Sequence, residues 1–255
     1  MWYKLAQNNH QDWSAQVVNF LETQPFAAEV LIKNVTYDHF TQRKSVKTQF
    51  VQDKNFDKDA WKALWMNSLK QVAGLLSSNW SFYGENSWSQ FSIKGKKQPE
   101  NARNYKVYFT AQNPLEDFQG LVQTLYDLGK KLQNIQTELP ISFKVATNVQ
   151  MLAIHVDTIV IHFADPNIAP EVQQAISAVS KKNSLKAEDR DKYLRTTVGR
   201  DSDTTSDSME LAARFARNVM ANKDQIIAIK DDPGMLSSTL LDIWKRIDSE
   251  GAHRK

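Results

Sequence analysis

Residues 104–129, NYKVYFTAQNPLEDFQGLVQTLYDLG, contain the change of pattern that decides the fold. Tyr105, Val107 and Phe109 alternate with other residues, which predicts a strand with these three side chains on one face. Asn113 can then cap a helix that has a proline in its first turn, where the missing N–H does no harm. The stretch therefore predicts a strand followed directly by a helix.

Downstream of this strand and helix, the pattern predicts two more strands and then a second helix. Residues 141–146 predict a strand, and residues 157–163 predict another that is apolar enough for a central position. Pro170 opens a further helix. The order β-α-β-β-α is typical of a split β-α-β core, so we expect an α+β fold with a mixed or antiparallel sheet layered by helices.

Upstream, the pattern is mainly helical. Apolar residues at helical spacing predict helices over 10–24 and over 57–76, and Asp57 can cap the second. Residues 27–32 fit either a helix or a strand. A change to a period of two then predicts a hairpin around a turn at residues 84–86, with Trp80, Phe82, Trp88, Phe91 and Ile93 in its strands.

The polar segment 95–101 is the best candidate for a domain boundary. It would separate a mainly helical region with a hairpin, residues 1–98, from an α+β region, residues 99–255. One continuous domain is the alternative. Residues 181–208 are polar and predict a long surface loop.

Composition excludes several classes of function. The 255 residues are 41% hydrophobic and 24% charged, as in ordinary globular proteins, and the absence of cysteine removes disulfides and thiolate catalysis. We see no apolar run of roughly 18 residues and no secretory signal, so we expect a cytoplasmic protein without a membrane span. HExxH, GxGxxG, P-loop and GxSxG motifs are absent from the sequence, so we expect neither a metal nor a nucleotide cofactor.

The amount and distribution of charge favour a site for phosphate over a nucleic-acid-binding surface. The net charge of +3 and the pI of about 8.9 are too mild to indicate a nucleic-acid binder. Seven of the nine arginines follow residue 189, among them Arg195, Arg200, Arg214 and Arg217. Arginine is well suited to bidentate capture of phosphate, so the C-terminal third is where we expect an anion site. The alternative is that these arginines are solvated or paired with nearby carboxylates.

Three further residues are candidates for chemistry. Lys144 stands in an apolar strand, where it either faces solvent or serves as a base in a cleft. His155 precedes the strand over 157–163, and His162 lies within it. The two side chains would point to opposite faces if the strand were continuous from one to the other. Both are either structural histidines or proton-transfer groups.

Short blocks between about residues 103 and 220, a little under half the chain, resemble the HopA-type family of type III secretion effectors. That family looks distantly related to the phosphothreonine lyases and to lyase components of lanthionine-peptide and thioamide-peptide biosynthesis. The matching blocks are residues 105–110, 143–145, 157–163 and 199–201, followed by the helix that carries Arg214 and Arg217.

The resemblance implies a β-elimination without a cofactor. In such a reaction a lysine removes the Cα proton of a phosphothreonine or phosphoserine, a histidine protonates the leaving oxygen, and cationic side chains hold the phosphate. By position, Lys144 matches the base, Arg200 matches a phosphate-binding arginine, and Arg195 is a looser second. Arg214 fits the phosphate site to within one residue.

The sequence departs from the family at the general acid. Thr110 stands where the resemblance requires a histidine, and Tyr108 stands where it requires a lysine. Lys106, on the same strand face as Tyr108, either replaces that lysine or is a solvated lysine at a strand edge. His155 falls on an expected arginine and His162 on an expected tyrosine, so either histidine can supply the missing acid unless the chemistry is lost.

Two main hypotheses follow. The first is a cofactor-independent carbon–oxygen lyase acting on phosphorylated peptides or proteins, with a kinase or a precursor peptide as partner. The second is a non-catalytic effector or peptide-binding scaffold of the same fold, delivered into a host cell if it is an effector. A nucleic-acid binder is a third reading, on the aromatic residues of the strand over 104–110, but those residues alternate between the two faces.

Overall fold

The computed structural model describes ten stretches of the chain. They are residues 2–41, 57–85, 88–97, 105–109, 118–148, 151–152, 155, 158–179, 199–200 and 207–252. The chain divides into two compact units. The first comprises Met1–Thr41 with Ala187–Lys255, and the second comprises Gln42–Lys186.

Helices and strands both contribute, which confirms the predicted α+β class. None of the described helices combines the length and the apolarity needed to cross a bilayer. In chain order the described elements are α1 (Trp2–Thr23), α2 (Ala28–Thr41), α3 (Lys58–Leu76), β1 (Trp80–Glu85), β2 (Trp88–Ile93), β3 (Tyr105–Phe109), α4 (Phe118–Leu132), β4 (Ile141–Ala146), β5 (Ile159–Phe163), a 3-10 turn (Pro166–Ile168), α5 (Ala169–Val179), β6 (Gly199–Arg200), α6 (Asp207–Ala221), α7 (Lys223–Ala228) and α8 (Pro233–Ala252).

In the first unit, helices pack around an aromatic core. Trp13 of α1 and Phe215 of α6 are fully buried with their ring centroids 5.3 Å apart. Phe40 of α2 stacks on Trp244 of α8 at 4.1 Å. Residues 28–32, which fit a helix or a strand by pattern, belong to α2, whose buried face completes this core. Tertiary packing thus decides an element that local propensity leaves open.

The second unit contains an antiparallel five-stranded sheet in the order β1-β2-β4-β5-β3. β5 pairs antiparallel with β4 on one side and with β3 on the other. β3 and β4 therefore run parallel, joined through α4, with β5 inserted between them. This is the split β-α-β arrangement that the sequence predicts, and β5 takes the interior position expected from its apolar character.

Three helices cover one face of this sheet, which we call the helix-covered face. α3, α4 and α5 pack side by side, with α3 against β1 and α5 against β3. Asp57 caps α3 as predicted, because its Oδ1 accepts from the backbone N–H of Ala60 at 2.9 Å. Trp65 of α3 is fully buried and donates from Nε1 to the carbonyl of Ala146 at 2.8 Å, which fixes the helix against the end of β4.

The polar segment 95–101 lies inside the second unit. β2, which precedes the segment, pairs with β4, which follows it, so strand pairing joins the two sides. Gly95 has a φ of 77°, a left-handed conformation suited to glycine at the exit from the hairpin. The predicted helix start at Asn113 lies outside the described residues, and the described helix begins at Phe118.

Candidate functional site

The register of β3, β4 and β5 brings together residues that are far apart in the sequence. Lys106 on β3 lies directly opposite His162 on β5, and Ser142 on β4 lies opposite His162 from the other side. Directly opposed residues in an antiparallel pair place their side chains on the same face, with Cβ atoms about 4.5–5.5 Å apart. Lys144 is two residues beyond Ser142, so it lies on that face diagonally from His162.

We call this the polar face of the sheet, and its centre the lysine–histidine cluster, consisting of Lys106, Lys144 and His162. The alternation along each strand separates it from the helix-covered face. On β5, Ile161 and Phe163 point to the helix-covered face, while His162 points away from it. A strand that is apolar except for one histidine therefore presents that histidine beside two lysines.

His162 is electrostatically unusual. Burial, together with the positive charges of Lys144 and then of Lys106, lowers the pKa of its imidazole well below the ordinary value of 6.5. Its Nε2 is buried and has no hydrogen-bond partner among the residues that the structure describes. A buried ring nitrogen that is unsatisfied between two cations is costly without a ligand, and a bound anion is the kind of group that would satisfy it.

Lys106 is itself only 4% exposed, whereas Lys144 is half-buried. The ammonium of Lys144 lies over the ring of Trp88, 4.9 Å from its centroid. A tryptophan face attracts a cation through the negative face of its π system, so this contact stabilises the charged form of Lys144 and sets its position. Lys144 thus lies on the face that carries the cluster, as a base or a phosphate ligand would require.

His155 is joined to the same group of residues from outside the strand. β5 begins only at Ile159, so it does not extend back to His155. The prediction that His155 and His162 point to opposite faces required a continuous strand between them, and β5 does not provide one. Its ring instead makes an edge contact with Trp88, with centroids 6.4 Å apart at an interplanar angle of 71°. Trp88 therefore contacts both His155 and Lys144.

The predicted arginines are placed differently from the lysines and histidines. Arg214 belongs to α6 of the first unit, where its guanidinium pairs with Glu250 at 3.3 Å. Arg217, on the same helix, pairs with Glu210 at 3.3 Å. Arg200 forms part of β6, and Arg195 lies outside the described residues. Among the residues that the structure describes, the cations that share the polar face of the second unit with His162 are Lys106 and Lys144.

Trp88 is the functional candidate that sequence reasoning missed. Its signal was present in the hairpin, because Trp88 is an odd number of positions from Phe91 and Ile93 and so lies on the opposite face of β2. Phe91 is fully buried on the helix-covered face, whereas Trp88 is half-buried. A tryptophan on the polar face of a strand whose other face is buried is a candidate for a functional role.

The described residues offer no group of three His, Asp or Glu side chains arranged to hold a metal ion. A surface cleft of about 420 Å³ lies elsewhere in the second unit, between the end of α4 and α5. Its lining contains Lys131, Glu171 and several amides but no histidine. The lysine–histidine cluster, by contrast, combines an imidazole with two cations of the kind that bind anions.

No family model matches this chain, and no curated protein matches it either. Among solved structures, the chain is similar to the effector protein from Pseudomonas syringae pv. syringae strain 61. The TM-score is 0.47 at 12% sequence identity, over 91% of this chain and 96% of that chain. A likeness of this degree implies nothing about the activity of either chain.

Proposed function

We propose that the polar face of the second unit binds a phosphorylated serine or threonine of a peptide or protein and eliminates its phosphate without a cofactor. The observation that carries the proposal is the lysine–histidine cluster. Two cations flank a neutral imidazole whose buried Nε2 has no partner among the described residues. A phosphate dianion would neutralise the cations and accept a hydrogen bond from the ring.

The chemistry of elimination matches the groups present. Breaking the Cβ–O bond develops negative charge on the phosphate, and cations placed beside that oxygen stabilise the transition state. Lys106 and Lys144 can provide this charge. The resemblance of the sequence to HopA-type effectors supports the same reaction class, because it places the essential lysine at Lys144.

A mixture of phosphoserine and phosphothreonine peptides, incubated with the full chain and analysed by mass spectrometry, tests the proposal. Elimination removes the elements of phosphoric acid and leaves a dehydroamino acid, whereas hydrolysis leaves the original hydroxyl residue. We expect elimination by the wild-type chain and its loss in Lys144→Ala. Lys130→Ala, an exposed lysine on α4, is the matched control and should leave the rate unchanged.

A second candidate function is binding without turnover. The contact between the Lys144 ammonium and the ring of Trp88 favours it, because the charged form of a lysine binds anions but cannot remove a proton. In that case the chain would retain phosphopeptides and release them unchanged. Saturable binding with no change in peptide mass over many binding lifetimes would establish this function and remove the lyase.

A further inference from the structure

β1 is the last strand on one side of the sheet in the second unit, and among the described residues its backbone pairs only with β2. The pairing runs from Trp80 opposite Ile93 to Glu85 opposite Trp88 and leaves the outer edge of β1 open. We propose that this edge binds an extended, acidic segment of a partner protein, which adds to the sheet as a further strand. The proposal does not depend on the elimination chemistry at the lysine–histidine cluster.

The outer edge of β1 has few of the features that keep edge strands from pairing with other chains. Natural edge strands are commonly very short, bulged, or interrupted by proline or lysine. β1 has six residues that pair in register without a bulge. It contains neither proline nor lysine, and its single charged residue is Glu85 at the last position. In an antiparallel pair, alternate residues direct both N–H and C=O to the outer side, so these groups can bond to an added strand.

Packing holds β1 in place while its edge stays accessible. On the helix-covered face, Trp80 is buried, and the ring of Phe82 lies 4.9 Å from the ring of Phe91, centroid to centroid. Tyr83, on the polar face, is 59% exposed, and Gly84 is exposed as well. A strand that is already ordered costs a binding peptide less conformational entropy than a loop that must be ordered on binding.

The side of α3 that lies over β1 is positively charged. The terminal methyl carbon of Met66 is 3.3 Å from the position that a Cβ would take on Gly84, so this side of the helix faces β1. Lys62 and Lys70 lie one turn before and one turn after Met66, on the same side of the helix, and both are exposed. The helix therefore places two ammonium groups beside the path of an added strand.

These two lysines determine which kind of partner fits. Asp59 lies three residues before Lys62 and offsets part of its charge, whereas α3 has no acidic residue within one turn of Lys70. Carboxylate side chains on the added strand would complement this charge. A second copy of the chain fits less well. Antiparallel pairing of two β1 edges, with the helices on one side, would bring the like-charged sides of two α3 helices together.

A blocked hexapeptide of alternating valine and glutamate, added to the full chain, tests the proposal. We expect it to bind and to slow hydrogen exchange at alternate amides of β1, those that point to the open edge. At a peptide concentration ten times the Kd, exchange at these amides should slow about tenfold, because only the unbound chain exchanges there. The same peptide with every amide N-methylated keeps its side chains and charges but cannot donate to β1, and it should bind about tenfold more weakly or worse.

The contribution of charge is measured on both partners. A peptide of alternating valine and lysine should bind about tenfold more weakly than the glutamate peptide, since it opposes the charge of α3. Lys70→Gln should weaken binding of the glutamate peptide about two- to fivefold, as expected for an exposed ion pair. Lys130→Gln removes an exposed lysine from α4 and is the matched control, which should bind as the wild-type chain does.

Selective slowing of alternate β1 amides by the glutamate peptide supports the proposal. It is overturned if that peptide does not bind, if those amides do not slow at saturation, or if the N-methylated or lysine peptide binds equally well. Slow exchange of these amides in the chain alone, together with a dimer in sedimentation, would assign the edge to a second copy instead. Increased self-association of Lys70→Gln would show that the lysines keep the edge unpaired, which also overturns the proposal. None of these results changes the test of elimination on the polar face.

Discussion

Phe143 and Lys144 are neighbours in β4, yet they lie on opposite faces of the sheet in the second unit. Phe143 is fully buried and stacks on Phe91 of β2 with ring centroids 4.7 Å apart. Lys144 is half-buried and lies over the ring of Trp88 on the polar face. The period of two along the strand is the sole cause of this separation. It allows one face to supply stability while the other supplies charge.

The largest expected effect comes from emptying the helix-covered face. Phe143→Ala should destabilise the second unit by about 3–5 kcal/mol, because it removes a buried ring and leaves a cavity against Phe91 and Trp80. Lys144→Ala, one residue away, should cost less than about 1 kcal/mol. Hydrogen exchange of the β4 and β5 amides measures both. Equal losses of protection would show that the two faces are not separable in this way.

The next effect concerns ligand binding on the polar face. Lys106→Gln should weaken the binding of inorganic phosphate about tenfold or more, because it removes a charge-assisted contact from a largely buried position. Lys130→Gln removes the same charge from an exposed position on α4 and is the control. Calorimetry at constant ionic strength gives both affinities. A Lys106 variant that binds as well as the control would place the phosphate elsewhere.

Both faces were predictable only in part from the sequence. Alternation alone identifies β3, β4 and β5 and separates Phe143 from Lys144. It does not reveal that Lys106 opposes His162, because register depends on which strands pair, and residues 106 and 162 are separated by a helix and a strand. The concentration of arginine after residue 189 does not indicate that Lys106 and Lys144 share a face in the second unit, because that too depends on strand pairing.

Two other expectations show where local pattern gives no answer. Residues 28–32 suit a helix or a strand equally, and the aromatic core of the first unit selects the helix. The first unit itself unites Met1–Thr41 with Ala187–Lys255, an association between distant segments that no local composition signals. Trp88 was detectable from its parity relative to Phe91, although its contact with Lys144 required the paired strands.

A smaller effect should appear in the pH dependence of stability. The pKa of His162 is lowered in the folded chain, so below pH 6.5 the unfolded chain binds more protons and stability falls as the pH falls towards the folded pKa. Above pH 6.5 this contribution is constant. His162→Gln should show a shallower loss between pH 6.5 and the acid range, measured by hydrogen exchange at β5. An identical slope in the variant would mean that the ring titrates normally when folded.

The smallest effect is the most specific to the polar face. Trp88→Leu should reduce the affinity for inorganic phosphate by about two- to fivefold, since a cation–π contact at a partly exposed site contributes about 0.5–1 kcal/mol. Trp88→Phe retains an aromatic face and should recover most of the affinity. The same series should leave the protection of the β4 amides against hydrogen exchange nearly unchanged. If Trp88→Leu instead lowers that protection as Phe143→Ala does, Trp88 belongs to the stabilising core. The separation between a stabilising face and a charged face then does not hold at Trp88.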